Sequence, residues 1–193
     1  MSRRIAAPSA PGWDDDVMPE DAHAMTLTTE RLLLRPQEVR DAYVFRQLWA
    51  ERDERVPVHR RLDAEGHPTV AEIADDIRQE SPRARPGLLT VALRETDAVI
   101  GYCGLVFDGD GERPELAFEL LRAVHNRGYA TEAGRAVIAW AGSAGFPRLW
   151  ASVWDWNLPS RRALEKLGFV DTGTVVKTSA HGRSLLTVRE PAD

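Results

Sequence analysis

The stretch His125-Asn126-Arg127-Gly128-Tyr129-Ala130-Thr131-Glu132 contains the residue types from which an anion site is built. Gly128 allows a tight turn and a close approach of the backbone, and the residues after it leave N–H groups free at the positive end of a helix dipole. Such a turn binds phosphate. A P-loop would require Gly-x-x-x-x-Gly-Lys-Ser/Thr, a dinucleotide fold Gly-x-Gly-x-x-Gly near the chain start, and neither is present. Upstream, Glu115 and Glu119 stand four apart in a segment that alternates like a strand, so both face one side and either can accept a proton. Downstream, Ser160 follows the break Asp155-Trp156-Asn157-Leu158-Pro159, where a hydroxyl can satisfy helix N–H groups or act as a weak acid.

These residues need a scaffold, and the periodicity supplies one. Ala130, Ala133, Val137, Trp140, Ala141 and Ala144 form one apolar helical stripe that Gly145 ends, and Glu112 to Arg122 before it reads as a strand. Thr26 to Arg35 predicts an opening strand stopped by Pro36, and Ala42, Phe45, Leu48 and Trp49 share a helix face. Residues 56–68, with His59-Arg60-Arg61, read as a loop, and Thr69-x-x-Glu72 is a capping box opening a helix that buries Val70, Ile73 and Ile77. Strands over Leu88–Arg94 and Ala98–Phe107, joined at Glu95-Thr96-Asp97, continue through a turn at Asp108-Gly109-Asp110-Gly111 into the strand bearing the two Glu residues, giving an antiparallel meander. Leu149 to Val153 is a strand, Ala163, Leu164 and Leu167 mark a helix stopped by Gly168, and strands near 169–176 and 184–189 close the sheet around a turn at His181-Gly182. The fold class is α/β, in the sense of an α+β mixed sheet, with a parallel pair around the Gly128 helix.

Composition narrows the function. A chain of 193 residues accommodates one domain, assigned to 26–193, and residues 1–25 read as a flexible extension carrying Pro8, Pro11, Pro19, an acidic Asp14-Asp15-Asp16 run and an exposed Trp13. A single cysteine excludes an internal disulfide, and Cys103 in an apolar strand reads as a buried small hydrophobe in a reducing compartment. With no membrane-spanning run and no signal-peptide core, the expected location is the cytoplasm. The net charge of −5 argues against nucleic acid and for a cationic or amine substrate. No metal is expected, because His59, His67 and His181 lack partners at ligand spacing and Asp108 and Asp110 lack the rest of a calcium loop.

The turn resembles the acyl-coenzyme-A pyrophosphate loop of the GNAT N-acetyltransferase superfamily, Gln/Arg-x-x-Gly-x-Gly/Ala, written here as His125-Asn126-Arg127-Gly128-Tyr129-Ala130. His125 departs from Gln or Arg, and Asn126 replaces a frequent glycine. Two more segments are similar to the Rim-type (RimJ/RimL-like) branch: Thr29-Glu30-Arg31-Leu32-Leu33-Leu34-Arg35-Pro36, and Asn157-x-x-Ser160-x-x-x-Leu164-Glu165-Lys166-Leu167-Gly168-Phe169. The resemblance covers roughly residues 26 to 190. It implies a mostly antiparallel sheet of six to seven strands with a splayed central parallel pair and about four helices. It further implies acetyl-CoA as donor, its pantetheine arm hydrogen-bonded by the backbone of Leu120 and Arg122. His125 and Asn126 to Thr131 would contact the cofactor, Arg127 through its charge, and Asn157 would bind the pantetheine amide or cap the helix. Residues 56–68 would help wall the acceptor pocket.

Transfer to an amine requires a deprotonated nitrogen, and model amines titrate at ~7.7–8.0 on a chain N-terminus and ~10.4 on lysine. Glu115 or Glu119 would therefore assist as base, directly or through water, and the Rim-type pattern favours Ser160 as the acid for the departing thiolate. Trp156, beside Asn157, is the tryptophan expected nearest a ligand. The expected acceptor is a protein N-terminus or a small amine, and a homodimer is allowed. The alternative is a catalytically silent acyl-coenzyme-A sensor or scaffold, in which the Glu pair and Ser160 would serve no purpose.

Overall fold

The computed structural model describes residues 25–80, 87–107 and 113–191. The expected extension before residue 25 and the turn at 108–111 lie outside them. Eight strands form one sheet in the order β1-β2-β3-β4-β5-β6-β8-β7. In chain order these are β1 (Leu27–Thr28), β2 (Leu32–Arg35), β3 (Leu88–Leu93), β4 (Val99–Phe107), β5 (Pro114–Leu120), β6 (Leu149–Trp154), β7 (Val170–Ser179) and β8 (Gly182–Arg189). Four α-helices occur among the described residues: α1 (Ala42–Glu51), α2 (Val70–Glu80), α3 (Tyr129–Ser143) and α4 (Leu158–Lys166). None is long and apolar enough to cross a membrane.

The mixed, mostly antiparallel sheet, the meander β3-β4-β5 and the four helices agree with the expected fold, and the strand count of eight exceeds it. The extra strand arises because Thr26 to Arg35 folds into a hairpin, with Leu27 opposite Leu34 and Thr28 opposite Leu33. Thr29 makes the corner: its N–H reaches the Leu32 carbonyl at 2.9 Å and its Oγ1 accepts the Leu32 N–H at 2.9 Å. A side-chain oxygen that offers a local partner to the backbone competes with extended pairing.

Alternating burial divides the apolar residues between two faces. Leu32, Leu34, Val91, Leu105, Leu116 and Leu120 join Ala133, Val137 and Ala141 of α3, Leu164 of α4 and Leu167 at its C-cap in the main core. On the opposite face Ala42, Phe45 and Leu48 of α1 meet Ile73, Ala74 and Ile77 of α2, with Tyr102 and Leu121 alongside. Cys103 lies in the main core with no exposure, and burial pushes its thiol up to about 12, as expected of a packing residue. The capping box forms as read: Thr69 Oγ1 accepts the Glu72 N–H, and Glu72 accepts the Thr69 N–H at 2.7 Å. Both predicted glycine stops have left-handed φ angles, 89° at Gly145 and 84° at Gly168.

Candidate active site

The only parallel pair among the described residues, β5 beside β6, is registered through a single couple, Glu115 with Trp150. Beyond it the two strands part, while β5 remains paired to β4 along its whole length from Pro114 to Leu120. Leu121 donates to the Ile100 carbonyl at 2.9 Å, and Leu120 lies opposite Gly101. By antiparallel alternation the backbone N–H and C=O of Leu120, and of Phe118 before it, therefore face β6 across the widening gap.

The chain then passes through a short 3₁₀ turn, Arg122–Val124, to the Gly128 corner. Two consecutive bends set its shape: Asn126 has φ 61° and Gly128, the N-cap of α3, has φ 82°. The first helical bond runs from the Glu132 N–H to the Gly128 carbonyl at 3.0 Å, so the N–H groups of Tyr129, Ala130 and Thr131 precede the intrahelical ladder. Those groups carry the positive end of the α3 dipole.

Two segments missed as parts of the site hold this corner in place. Glu132, in the first turn of α3, accepts from Thr29 Oγ1 at 2.6 Å, from the Arg31 N–H at 2.9 Å and from Arg31 Nε at 2.7 Å. Arg31 also donates to the Arg127 carbonyl at 3.1 Å and lies 4.5 Å from the Tyr129 ring centroid. Burial alone would raise the Glu132 carboxyl, but these bonds from Thr29 and Arg31 lower it below its ordinary value. Thr29 and Arg31 stood in the Rim-like opening segment and Glu132 in the stretch that follows Gly128; no pattern in the sequence shows that they meet. Beside the corner, Gly128, Thr131, Arg135 and Lys166 contribute to a hollow of about 540 Å³.

Several predicted residues carry bonds that narrow their roles. The strand expected through Arg122 ends at Leu120, and Arg122 closes on the protein instead. Its N–H donates to Glu51 at 2.7 Å and its carbonyl accepts the His125 N–H at 3.1 Å. The backbone of Arg122 is thus not offered to the gap, because the 3₁₀ turn rotates it away from the strand edge. His125 Nε2 lies 2.8 Å from the Leu120 carbonyl and ties the end of β5 to the corner. Asn157 caps α4, its Oδ1 accepting the Ser160 N–H at 3.3 Å. Ser160 is half-buried at that helix start, and no hydrogen bond reaches its Oγ among the described residues. Trp156 is held within the protein: Nε1 donates to the His181 carbonyl at 2.8 Å, Trp154 stacks on it at 6.2 Å, and Arg55 lies 4.3 Å from its centroid.

Glu115 and Glu119 share the face of β5 that α1 and α2 cover only in part, and their surroundings differ. Glu119 accepts from Arg52 Nε at 2.9 Å, from Arg52 Nη2 at 2.6 Å and from the Tyr102 hydroxyl at 2.7 Å. Burial opposes the Arg52 charge, yet Glu119 raises the guanidinium above its ordinary value; burial and then Glu119 do the same to the Tyr102 hydroxyl. Among the described residues Glu115 meets only Ser152 Oγ, at 3.2 Å, which donates to it. Arg52, Tyr102 and Trp49 also line a cleft of about 1250 Å³ between the sheet, α1, α2 and the connection joining the two helices.

A parted parallel pair, an N–H-rich corner at its open end and a second cleft against the same strand agree with the arrangement that the resemblance implies. Residues 31–170 match the acetyltransferase (GNAT) domain. The chain belongs to the GNAT acetyltransferase family. Among curated proteins it is 31% identical, over 153 residues, to an uncharacterized N-acetyltransferase, p20, of Bacillus licheniformis, covering 77% of this chain and 84% of that one. A GNAT-family acetyltransferase of Bordetella pertussis has the same fold at 25% identity and a TM-score of 0.66, covering 86% of this chain and 99% of that one. The RimL ribosomal L7/L12 α-N-protein acetyltransferase, solved in complex with coenzyme A, superposes with a TM-score of 0.69 at 11% identity, over 86% and 98% of the two chains. This GNAT acetyltransferase therefore uses acetyl-CoA as its acyl donor, and the unbonded N–H groups after Gly128 suit its diphosphate.

Proposed function

We propose that this GNAT acetyltransferase transfers the acetyl group directly to a primary amine, a small molecule or a protein N-terminus, as a member of the Rim-like branch. The observation that supports this reading is the parting of β5 from β6 after one registered couple, with free helix N–H groups at the open end and two carboxylates on the neighbouring face. Bound acetyl-CoA supplies an activated thioester. The N–H groups from Gly128 to Thr131, with Arg127, hold the diphosphate, and the Leu120 N–H accompanies the pantetheine arm.

In this reading Glu115 takes the amine proton, directly or through water. Glu119 is the weaker candidate, because three donors already engage its oxygens and leave them less open to an incoming amine. Ser160, whose Oγ is uncommitted, supplies the proton to the departing sulfur. A thiol with a model value near ~8.5 leaves readily enough for a weak acid to suffice.

Thiol release from acetyl-CoA over a panel of amines tests the activity. Release dependent on one amine class is expected, and tight coenzyme A binding without release for any amine would leave only a sensor. Gly128→Asp tests the donor site: a Cβ would fit, 3.5 Å from the nearest atom, but φ 82° disfavours a side chain and the added charge repels phosphate. Coenzyme A affinity should fall by about tenfold or more in calorimetry. Wild-type affinity in that variant would place the diphosphate elsewhere.

A further inference from the structure

The cleft against α1 and α2 contains a cation, Arg61, that no group among the described residues answers. Around it, Arg52 is committed to Glu119 and, through Nη1, to the Arg60 carbonyl at 2.8 Å. His67 Nδ1 pairs with Glu72 at 2.7 Å, and Asp63 Oδ1 turns back on its own loop to accept the N–H groups of Glu65 and His67. Asp76 stands exposed at the rim on α2, and His59 is exposed as well. Arg61 is different. It lines the cleft half-buried, its Nε is sealed from solvent, and neither that atom nor the rest of the guanidinium has a hydrogen-bond or carboxylate partner among the described residues.

We propose that the acceptor is a small amine bearing an anionic group, a carboxylate or a phosphate, a few bonds from its nitrogen, and that Arg61 holds that group. Buried donors are normally paired, and the two terminal Nη groups of a planar guanidinium, which have no partner among the described residues, match both anions in bidentate fashion. Its location fits this role. Arg52 grips Glu119 on β5 and the carbonyl of Arg60 with one guanidinium, so the peptide that carries Arg61 is fixed next to the strand of the two carboxylates. An acceptor anchored at Arg61 by its anion would present its nitrogen toward that strand. The whole-chain charge of −5 suggests a cationic acceptor, but within the cleft Arg52 is paired with Glu119 and His67 with Glu72, Asp63 and Asp76 stand exposed, and Arg61 is the half-buried charge without a partner among the described residues.

This inference rests on the acetyl-transfer reading, and the test keeps the two apart. Matched pairs, leucine against leucinamide and O-phosphoethanolamine against ethanolamine, are compared in thiol-release assays and by calorimetry on the coenzyme-A-saturated protein. The wild type should prefer the anionic member of at least one pair by about tenfold in kcat/KM and in affinity. The carboxylate and phosphate pairs distinguish the two anions. Arg61→Gln should bring that ratio to about one by lowering the anionic member, with the KM for acetyl-CoA unchanged, and Arg61→Lys should retain part of the preference. A wild-type ratio of one or less overturns the assignment, as does an equal loss from both members in Arg61→Gln. If no amine releases thiol, the transferase reading fails, while the calorimetric ratios still decide the anion site. Turnover of a peptide with an acidic second residue but of none of the small amines would move the site to a protein N-terminus and overturn the small-amine assignment.

Discussion

Two carboxylates four residues apart look interchangeable in a strand pattern, and their neighbours separate them. Glu119 lies under Arg52 and Tyr102, whereas Glu115 has one long contact to Ser152. Glu115→Gln should reduce kcat by about 10²-fold or more and remove the acidic limb of the pH–rate profile, as expected for a base whose protonation stops turnover. Glu119→Gln should keep that limb. Its loss should show instead as a looser acceptor site, since Arg52 would no longer be held to β5. Unaltered profiles in both variants would assign the proton to water. The sequence brought out both residues because a period of two is visible in it. It could not rank them, because Arg52 and Tyr102 come from 67 and 17 residues away and no local pattern announces such a meeting.

At the scale of elements, the gap between β5 and β6 depends on how closely β5 can lie on β4. Gly101 faces Leu120 at the point where the gap is wide, and an added Cβ there would sit 2.1 Å from the Glu119 carbonyl oxygen and 2.8 Å from the Leu120 Cα. Both are backbone atoms, so no side chain can swing aside. Gly101→Ala should therefore cost about 1–3 kcal/mol in urea unfolding and lower coenzyme A affinity, by pushing the end of β5 toward β6. An unchanged midpoint with unchanged affinity would show that β5 tolerates the displacement. The helices, the meander and the glycine stops were readable in the sequence because each has a short-range signature. The hairpin at Thr29 was not: Thr-Glu-Arg lacks the Asn-Gly or Asp-Gly chemistry of common tight turns, and this corner depends on a side-chain oxygen and on Glu132 from the far side of the fold.

For the molecule as a whole, one buried charge pair contributes to the response to acid. Asp41 is 1% exposed, paired with Arg35 at 2.8 and 2.9 Å, and it accepts the Thr90 hydroxyl at 2.6 Å and the Glu38 N–H at 2.8 Å. Burial pulls its carboxyl upward, and the bonds from Arg35, Thr90 and Glu38 outweigh burial, so its folded value lies below the ordinary 3.8. A lowered carboxyl contributes stability that is present above its unfolded value and is lost as the pH falls through the folded one. Asp41→Asn, which removes the buried partner of Arg35 and leaves it only the longer pairing with Glu38 at 3.4 Å, should cost about 3–5 kcal/mol at neutral pH and flatten the acid limb of a stability–pH curve. A variant that keeps the wild-type acid slope would assign acid unfolding to other carboxylates.

The clasp of Thr29 and Arg31 on Glu132 joins positions 101 residues apart in sequence between Arg31 and Glu132, and the same arginine steadies the Arg127 carbonyl. In the proposed reading, donor recognition therefore draws on both the start and the middle of the polypeptide. On gentle warming, fraying of the opening hairpin should abolish coenzyme A capture while circular dichroism still reports an intact sheet, so ligand release precedes melting.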